Sequence, residues 1–185
     1  HITDYSSPIL IGNTITNNSA DDGGGIYIHD HSSPTLEGNT ITNNSADDDG
    51  GGIYISYSCS PTLSGNTITD NSANDEGGGI SIRSFCSPTL SSNTIINNSA
   101  NYGGGIFIWY YSSPTLECNT ITNNSADTYG GGICILGSSS PTIDSCTITN
   151  NSADYGGGIY ISGYSSPTLE YNTITNNSAN WGGGI

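Results

Sequence analysis

A short tag, Ser-Pro-(Thr/Ile)-(Leu/Ile), returns seven times along the chain, with its proline at Pro8, Pro34, Pro61, Pro88, Pro114, Pro141 and Pro167. Successive prolines are 26 or 27 residues apart. A period of this size restricts the chain to folds in which each unit buries its apolar face against the next, because one unit is too short to build a core. The extra residue of the longer units always falls between the alanine and the glycine triplet, as in Ala20-Asp21-Asp22-Gly23 against Ala46-Asp47-Asp48-Asp49-Gly50. Length variation confined to one point marks a surface turn.

Within one unit three short stretches read as strands: Pro34-Thr35-Leu36, then 39–43, then 52–55. The last two alternate apolar with outward-tolerant residues, the period of a half-buried strand. Leu36, Ile41, Ile53 and Ile55 are therefore expected to meet their equivalents one coil above and below. One such column runs Ile26, Ile53, Ile80, Ile106, Ile133, Ile159 and Ile185. The pattern predicts an all-β protein, a parallel β-helix (β-solenoid) of seven coils with three short strands each, forming one array over 1–185.

The repeat SSPTLEGNTITNNSADDDGGGIYI resembles those of large secreted proteins with a pectin-lyase-like, right-handed parallel β-helix. It is also similar to the repeats of polymorphic outer membrane proteins, with Gly-Gly-Gly-Ile standing for their Gly-Gly-Ala-Ile tag and Ile41-Thr42-Asn43-Asn44 for their aromatic-x-x-Asn tag. The right hand of the helix is what the resemblance implies; periodicity does not set it. Such repeats serve adhesins, surface layers and enzymes alike, so function must be argued from particular residues.

Charge narrows the partners. The chain carries 16 acids against a single cation, Arg83, for a net charge of −15. That balance excludes nucleic acid, whose phosphates need Lys and Arg, and it repels anionic membrane surfaces. No stretch is apolar for long enough to insert into a bilayer. The frame of the repeat aligns His1 with Tyr27 and Ile185 with Ile26, a whole number of coils without an atypical terminal unit. This leads to the expectation of a continuous fibre, either within a longer array or by copies stacking head to tail.

In a solenoid each residue type becomes a column. Thr14 and Thr16, Thr40 and Thr42, Thr67 and Thr69, Thr120 and Thr122, Thr147 and Thr149, and Thr173 and Thr175 each flank an inward isoleucine. Only the fourth coil departs, with Thr94 and Ile96 in these places. The threonines would form a flat array of hydroxyls and methyls, similar to the Thr-x-Thr face of insect-type ice-binding solenoids; good stacking of threonine in strands explains them equally well. Asn39 and its equivalents, with one or both of Asn43 and Asn44, are expected to form amide ladders at the corners. The same residues include glycosylation sequons at Asn17, Asn43, Asn97, Asn123, Asn150 and Asn176, broken by Asp70 in the third coil.

Asp22, Asp49 and Glu76 fall at one corner of three consecutive coils, where stacked like charges make a candidate calcium site; the calcium-binding nonapeptide of other solenoids is absent. Further along that corner the acids give way to Tyr102, Tyr129, Tyr155 and Trp181, a strip suited to sugar rings or to stacking on itself. Tyr27, Tyr54, Phe107, Tyr110, Tyr111 and Tyr160 are read as further exposed rings. Cys59 and Cys86 hold one position of consecutive coils, at the separation a disulfide needs, which suits an extracellular setting.

No cofactor other than calcium is implied. The resemblance to pectate-lyase-like proteins raises catalysis, but the chain has no Lys and Arg83 shows no matched acid cluster in the sequence. Groove-forming insertions are absent too, so the sequence points away from an enzyme. The expectation is a rigid extracellular or cell-surface β-helical fibre or stalk, interacting with itself along the axis and open to glycans. A carbohydrate-binding adhesin segment and an ice-binding protein are the alternatives.

Overall fold

The computed structural model describes all 185 residues, and the chain winds as a parallel β-solenoid without a helix. No helix is therefore long and apolar enough to cross a membrane. Three sheets run the length of the array as expected. The first stacks Ile9–Ile11, Thr35–Glu37 and their equivalents; the second stacks Thr14–Thr16, Thr40–Thr42 and onward; the third stacks Ile26–Ile28, Ile53–Ile55 and onward. Every strand of these sheets pairs in parallel with its equivalent in the next coil, Ile41 with Ile68 and Ile53 with Ile80, without a slip.

A fourth sheet joins them at the corner expected to be only a turn. It begins as Ser19–Ala20 and lengthens to Ser125–Tyr129 and Ser178–Trp181. The variable residue is absorbed here as a bulge: Tyr102 still pairs with Tyr129 although Thr128 has been inserted. Thr128 stays tied down by its hydroxyl, which donates to Asn101 Oδ1 at 2.7 Å. A bulge accepts one extra residue without losing the ladder on either side.

The core is a set of parallel apolar columns. Leu36, Ile41, Ile53 and Ile55 and most of their equivalents are completely buried. Each is worth about 2–3 kcal/mol of transfer free energy. The glycine triplet turns the chain into the third sheet at a point with no room for a side chain. A Cβ on Gly51 would stand 2.2 Å from the Ser72 carbonyl oxygen of the next coil.

Asparagine fills the corners where backbone polarity must enter the core. The column through Asn39, Asn66, Asn93 and Asn119 lies between the first and second sheets, and the column through Asn44, Asn71, Asn98 and Asn124 lies after the second. Asn66 is typical of these side chains. Its Oδ1 accepts from the Asn39 backbone N–H at 2.9 Å and from Asn39 Nδ2 at 3.0 Å, and its own Nδ2 donates to Leu36 O and to Asn93 Oδ1. That exhausts the donors and acceptors of a primary amide, so the cost of burying Asn66 is offset by its hydrogen bonds. Of the adjacent pair, Asn44 is thus the ladder residue. Asn43 stands outside, exposed and left-handed with φ 53°.

Candidate functional site

The coils differ least in their core and most on the outer face of the third sheet, where the one cation lies. The middle residues of its strands, Tyr54, Ser81, Phe107 and Cys134, point away from the core yet are buried. This corrects the reading of Tyr54 and Phe107 as exposed. The first glycine of each triplet is left-handed, and it lays the preceding corner over the strand; a Cβ on Gly130 would stand 2.7 Å from Cys134 Cβ.

Arg83 rises from the edge of this face, and its guanidinium bonds to the Asp49 carboxylate and stands 3.5 Å from Glu76 Oε2. On the other side it packs over the Trp109 ring at 4.7 Å. Asp49 and Glu76 pair across consecutive coils, and Glu76 pairs in turn with Tyr102. The acids expected as a calcium site are therefore matched to the arginine, a match not evident in the sequence. Aligning the coils contains the signal: the Asp49–Glu76 column stands just before the glycine triplet that leads into the third-sheet strand, and Arg83 directly follows the end of that strand.

These groups line an open cleft of about 430 Å³, together with Asp22, Asp48, Tyr54, Asp75, Asn101 and Tyr102. Burial is the main influence on the acids. It pushes Asp49 up to about 6 and Glu76 up to about 7 against the opposing pull of Arg83, and it raises Asp22 as well. Near neutral pH the pair therefore holds a proton that isolated carboxylates would have lost. The three buried side-chain atoms of the molecule without a hydrogen bond, Ser56 Oγ, Ser81 Oγ and Glu76 Oε2 (which has only the ionic contact to Arg83), all belong to the second and third coils on this face.

The candidate calcium ligands Asp22, Asp49 and Glu76 thus share one cleft, but they do not converge into a set that holds a metal ion. The guanidinium of Arg83 takes the position between Asp49 and Glu76 that a cation would need, and supplies the compensating charge itself.

The aromatic strip assembles as a ladder. Tyr102 stacks on Tyr129 at 5.5 Å, Tyr155 on Trp181 at 4.6 Å and 11°, and Tyr129 also on Tyr160 at 4.4 Å. The rings spend their faces on one another, which leaves mainly edges for a sugar to meet. A second run of exposed rings, Tyr57, Phe85, Tyr110, Tyr111 and Tyr164, occupies turns built from two consecutive left-handed residues.

The threonines of the second sheet stand in two columns on either side of the Ile41 column, and they are less exposed than a flat array of hydroxyls would be. In the first column Thr40, Thr67 and Thr120 are half-buried, whereas Thr14, Thr147 and Thr173 towards the ends are exposed. In the second, Thr16 pairs with Thr42 and Thr42 with Thr69, but Thr69 then meets Ile96. Ile96 separates these from Thr122, Thr149 and Thr175, so the row of hydroxyls is broken at the fourth coil. Thr16, Thr42, Thr69, Thr122 and Thr149 are half-buried, and Thr175 alone of this column is exposed. Neighbouring coils about 4.8 Å away cover much of each side chain. Some hydroxyls are also spent locally: Thr69 Oγ1 donates to Asp70 Oδ2 at 3.1 Å, and Thr42 Oγ1 accepts from Asn43 Nδ2 at 3.2 Å.

The sequon residues Asn17, Asn43, Asn97, Asn123, Asn150 and Asn176 are all exposed. Cys59 and Cys86 are adjacent, fully buried and free. They continue a third ladder, one that the sequence pattern does not reveal. In it the Ser6 N–H donates to Ser32 Oγ, the Ser32 N–H to Cys59 Sγ, the Cys59 N–H to Cys86 Sγ and the Cys86 N–H to Ser112 Oγ, at 3.1–3.3 Å.

Compared with known protein families, the chain matches the model of the right-handed β-helix region over residues 1–121 and again over 73–185. Searches of the curated proteins and of the solved structures found no match.

Proposed function

The chain belongs to the right-handed β-helix family, and from that premise we propose that it serves as a rigid structural rod outside the cell, a stalk or spacer holding other parts at a distance. The observation that carries this reading is the unbroken register. Successive coils pair without a slip in three sheets, and ladders of buried amides tie each coil to the next. Such a stack resists bending because a kink at any one coil breaks hydrogen bonds in several sheets together. At about 4.8 Å per coil the array contributes roughly 34 Å of length. Copies joined in phase and viewed by electron microscopy should form straight rods that lengthen by about that amount per copy. Particles that articulate at the joins would remove the spacer function.

The exposed sequon column supports a further role for the rod as a carrier of glycans on one edge. Adjacent coils are only about 4.8 Å apart, too close for branched glycans on neighbouring rungs. Produced in a glycosylating host, the chain should show alternating occupancy along Asn97, Asn123, Asn150 and Asn176 by glycopeptide mass spectrometry. Unmodified asparagines throughout would end this part of the proposal.

The cleft around Arg83 favours a second reading, a carbohydrate-binding rod. It is the one place where a cation, hydroxyl-binding carboxyls and tyrosine edges face solvent together. Calorimetry with neutral oligosaccharides should then give binding that Asp75→Asn or Tyr102→Ala weakens. Equal heats for the variants and the parent protein would exclude the cleft.

A further inference from the structure

Cys59 and Cys86 have a chemical option that the serines of the same ladder lack. They occupy successive rungs: the Ser87 N–H donates to Cys59 O at 3.2 Å, and the Cys59 N–H donates to Cys86 Sγ at 3.2 Å. Neighbouring strands lie about 4.8 Å apart, inside the Cα separation of about 4.4–6.8 Å that a disulfide spans. Both side chains are completely buried, and the contact between the two sulfurs is one cause of the upward displacement of the Cys86 thiol. Serine already serves this ladder at Ser32, Ser112 and Ser139, so hydrogen bonding does not demand cysteine at the two middle rungs.

We propose that Cys59 and Cys86 form a covalent cross-link between the second and third coils, and that it closes during folding. Two thiols give up two protons and two electrons to a small-molecule disulfide, which leaves as two thiols, and an S–S bond replaces two S–H bonds. In the finished rod neither sulfur is reachable by an oxidant, so the exchange belongs to the stage before the corner is sealed. The same burial then shields the bond from reductants. The cross-link fixes the coil carrying Arg83 to the coil carrying Asp49, which holds together the two halves of the acidic cleft.

The sequence supplies an unusually clean assay. Arg83 is the only trypsin site in the chain, and it separates Cys59, the one cysteine of residues 1–83, from Cys86 and the remaining three. The full chain is unfolded in reductant, refolded with a mixture of reduced and oxidised glutathione, alkylated, unfolded again and cut with trypsin. The two fragments should stay joined without reductant and separate with it. Cys86→Ser should refold, because serine holds equivalent rungs, and should give separate fragments. The linked protein should melt roughly 5–10 °C above its reduced form. Oxidised glutathione added to the folded, reduced protein should leave both thiols free. Fragments that separate after oxidative refolding, or remain joined in Cys86→Ser, would overturn the cross-link. Linkage of the folded protein as fast as during refolding would overturn its closure during folding.

Discussion

The guanidinium of Arg83 lies against the carboxylate of Asp49, 34 residues earlier in the chain, with both groups largely buried on a solenoid whose other coils place no ion pair there. Each partner stabilises the other more than it stabilises the fold, because removing one leaves an uncompensated buried charge. Arg83→Met should therefore cost about 3–5 kcal/mol at neutral pH, read from urea-induced unfolding. Adding Asp49→Asn and Glu76→Gln to that variant should recover most of the loss. A small effect of Arg83→Met alone would show that the acids stay solvated or become protonated, so that no uncompensated buried charge is left.

The same acids set a pH dependence. Folding raises Glu76 from its ordinary 4.5 to about 7 and Asp49 from 3.8 to about 6, so the folded state holds more protons across that window. Stability from these groups is fully present in acid below their unfolded values, and it is lost as pH rises through the folded ones. For Glu76 this amounts to on the order of 3 kcal/mol. Melting temperature should fall between pH 4 and 8, and Glu76→Gln should flatten the slope. A melting temperature that rises over this range would contradict the assignment.

The amide ladders make two neighbouring asparagines respond in opposite ways. Asn71→Ala removes the acceptor of the Asn44 backbone N–H and of Asn44 Nδ2, and the donor to Ile41 O. With buried groups left unpaired, the loss should be about 3–5 kcal/mol. Asn43→Gly, one coil earlier and outside, should be neutral or stabilising by up to about 1 kcal/mol, because φ 53° suits glycine. Chemical denaturation of the two variants side by side tests the contrast.

Glycines divide in the same manner. A Cβ on Gly51 meets backbone carbonyls at 2.2 and 2.6 Å, whereas one on Gly38 meets nothing within 4 Å. Gly51→Ala should prevent the second and third coils from closing, seen as loss of cooperative melting. Gly38→Ala should cost only the strain of its left-handed φ, about 1 kcal/mol.

The fold was largely legible because each core column repeats one residue type, and stacking is the only way to bury Ile41 or Ile53. The fourth sheet was not, since Ser-Ala followed by acids has no strand alternation; its pairing comes from the strands that flank it. The serine ladder escaped notice because serine and cysteine look unrelated until Ser32, Cys59, Cys86 and Ser112 are seen to accept the same kind of backbone hydrogen bond. The threonine columns were legible in position but not in exposure, because the spacing that aligns Thr42, Thr69 and Thr122 also lets adjacent coils cover them. At the candidate site the acids and the arginine were each visible, but not their meeting. That meeting depends on the left-handed glycine turn, which folds the corner back over the third sheet and buries Tyr54 and Phe107 with it.

If buried side-chain ladders lock each coil to the next, hydrogen exchange of the asparagine side-chain amides in solution will show it. The Nδ2 protons of Asn66, Asn71, Asn93 and Asn98 should exchange as slowly as the backbone amides of the central strands, while those of Asn43 and Asn97 should exchange freely. Equally fast exchange at all six positions would mean that the ladders do not hold the coils.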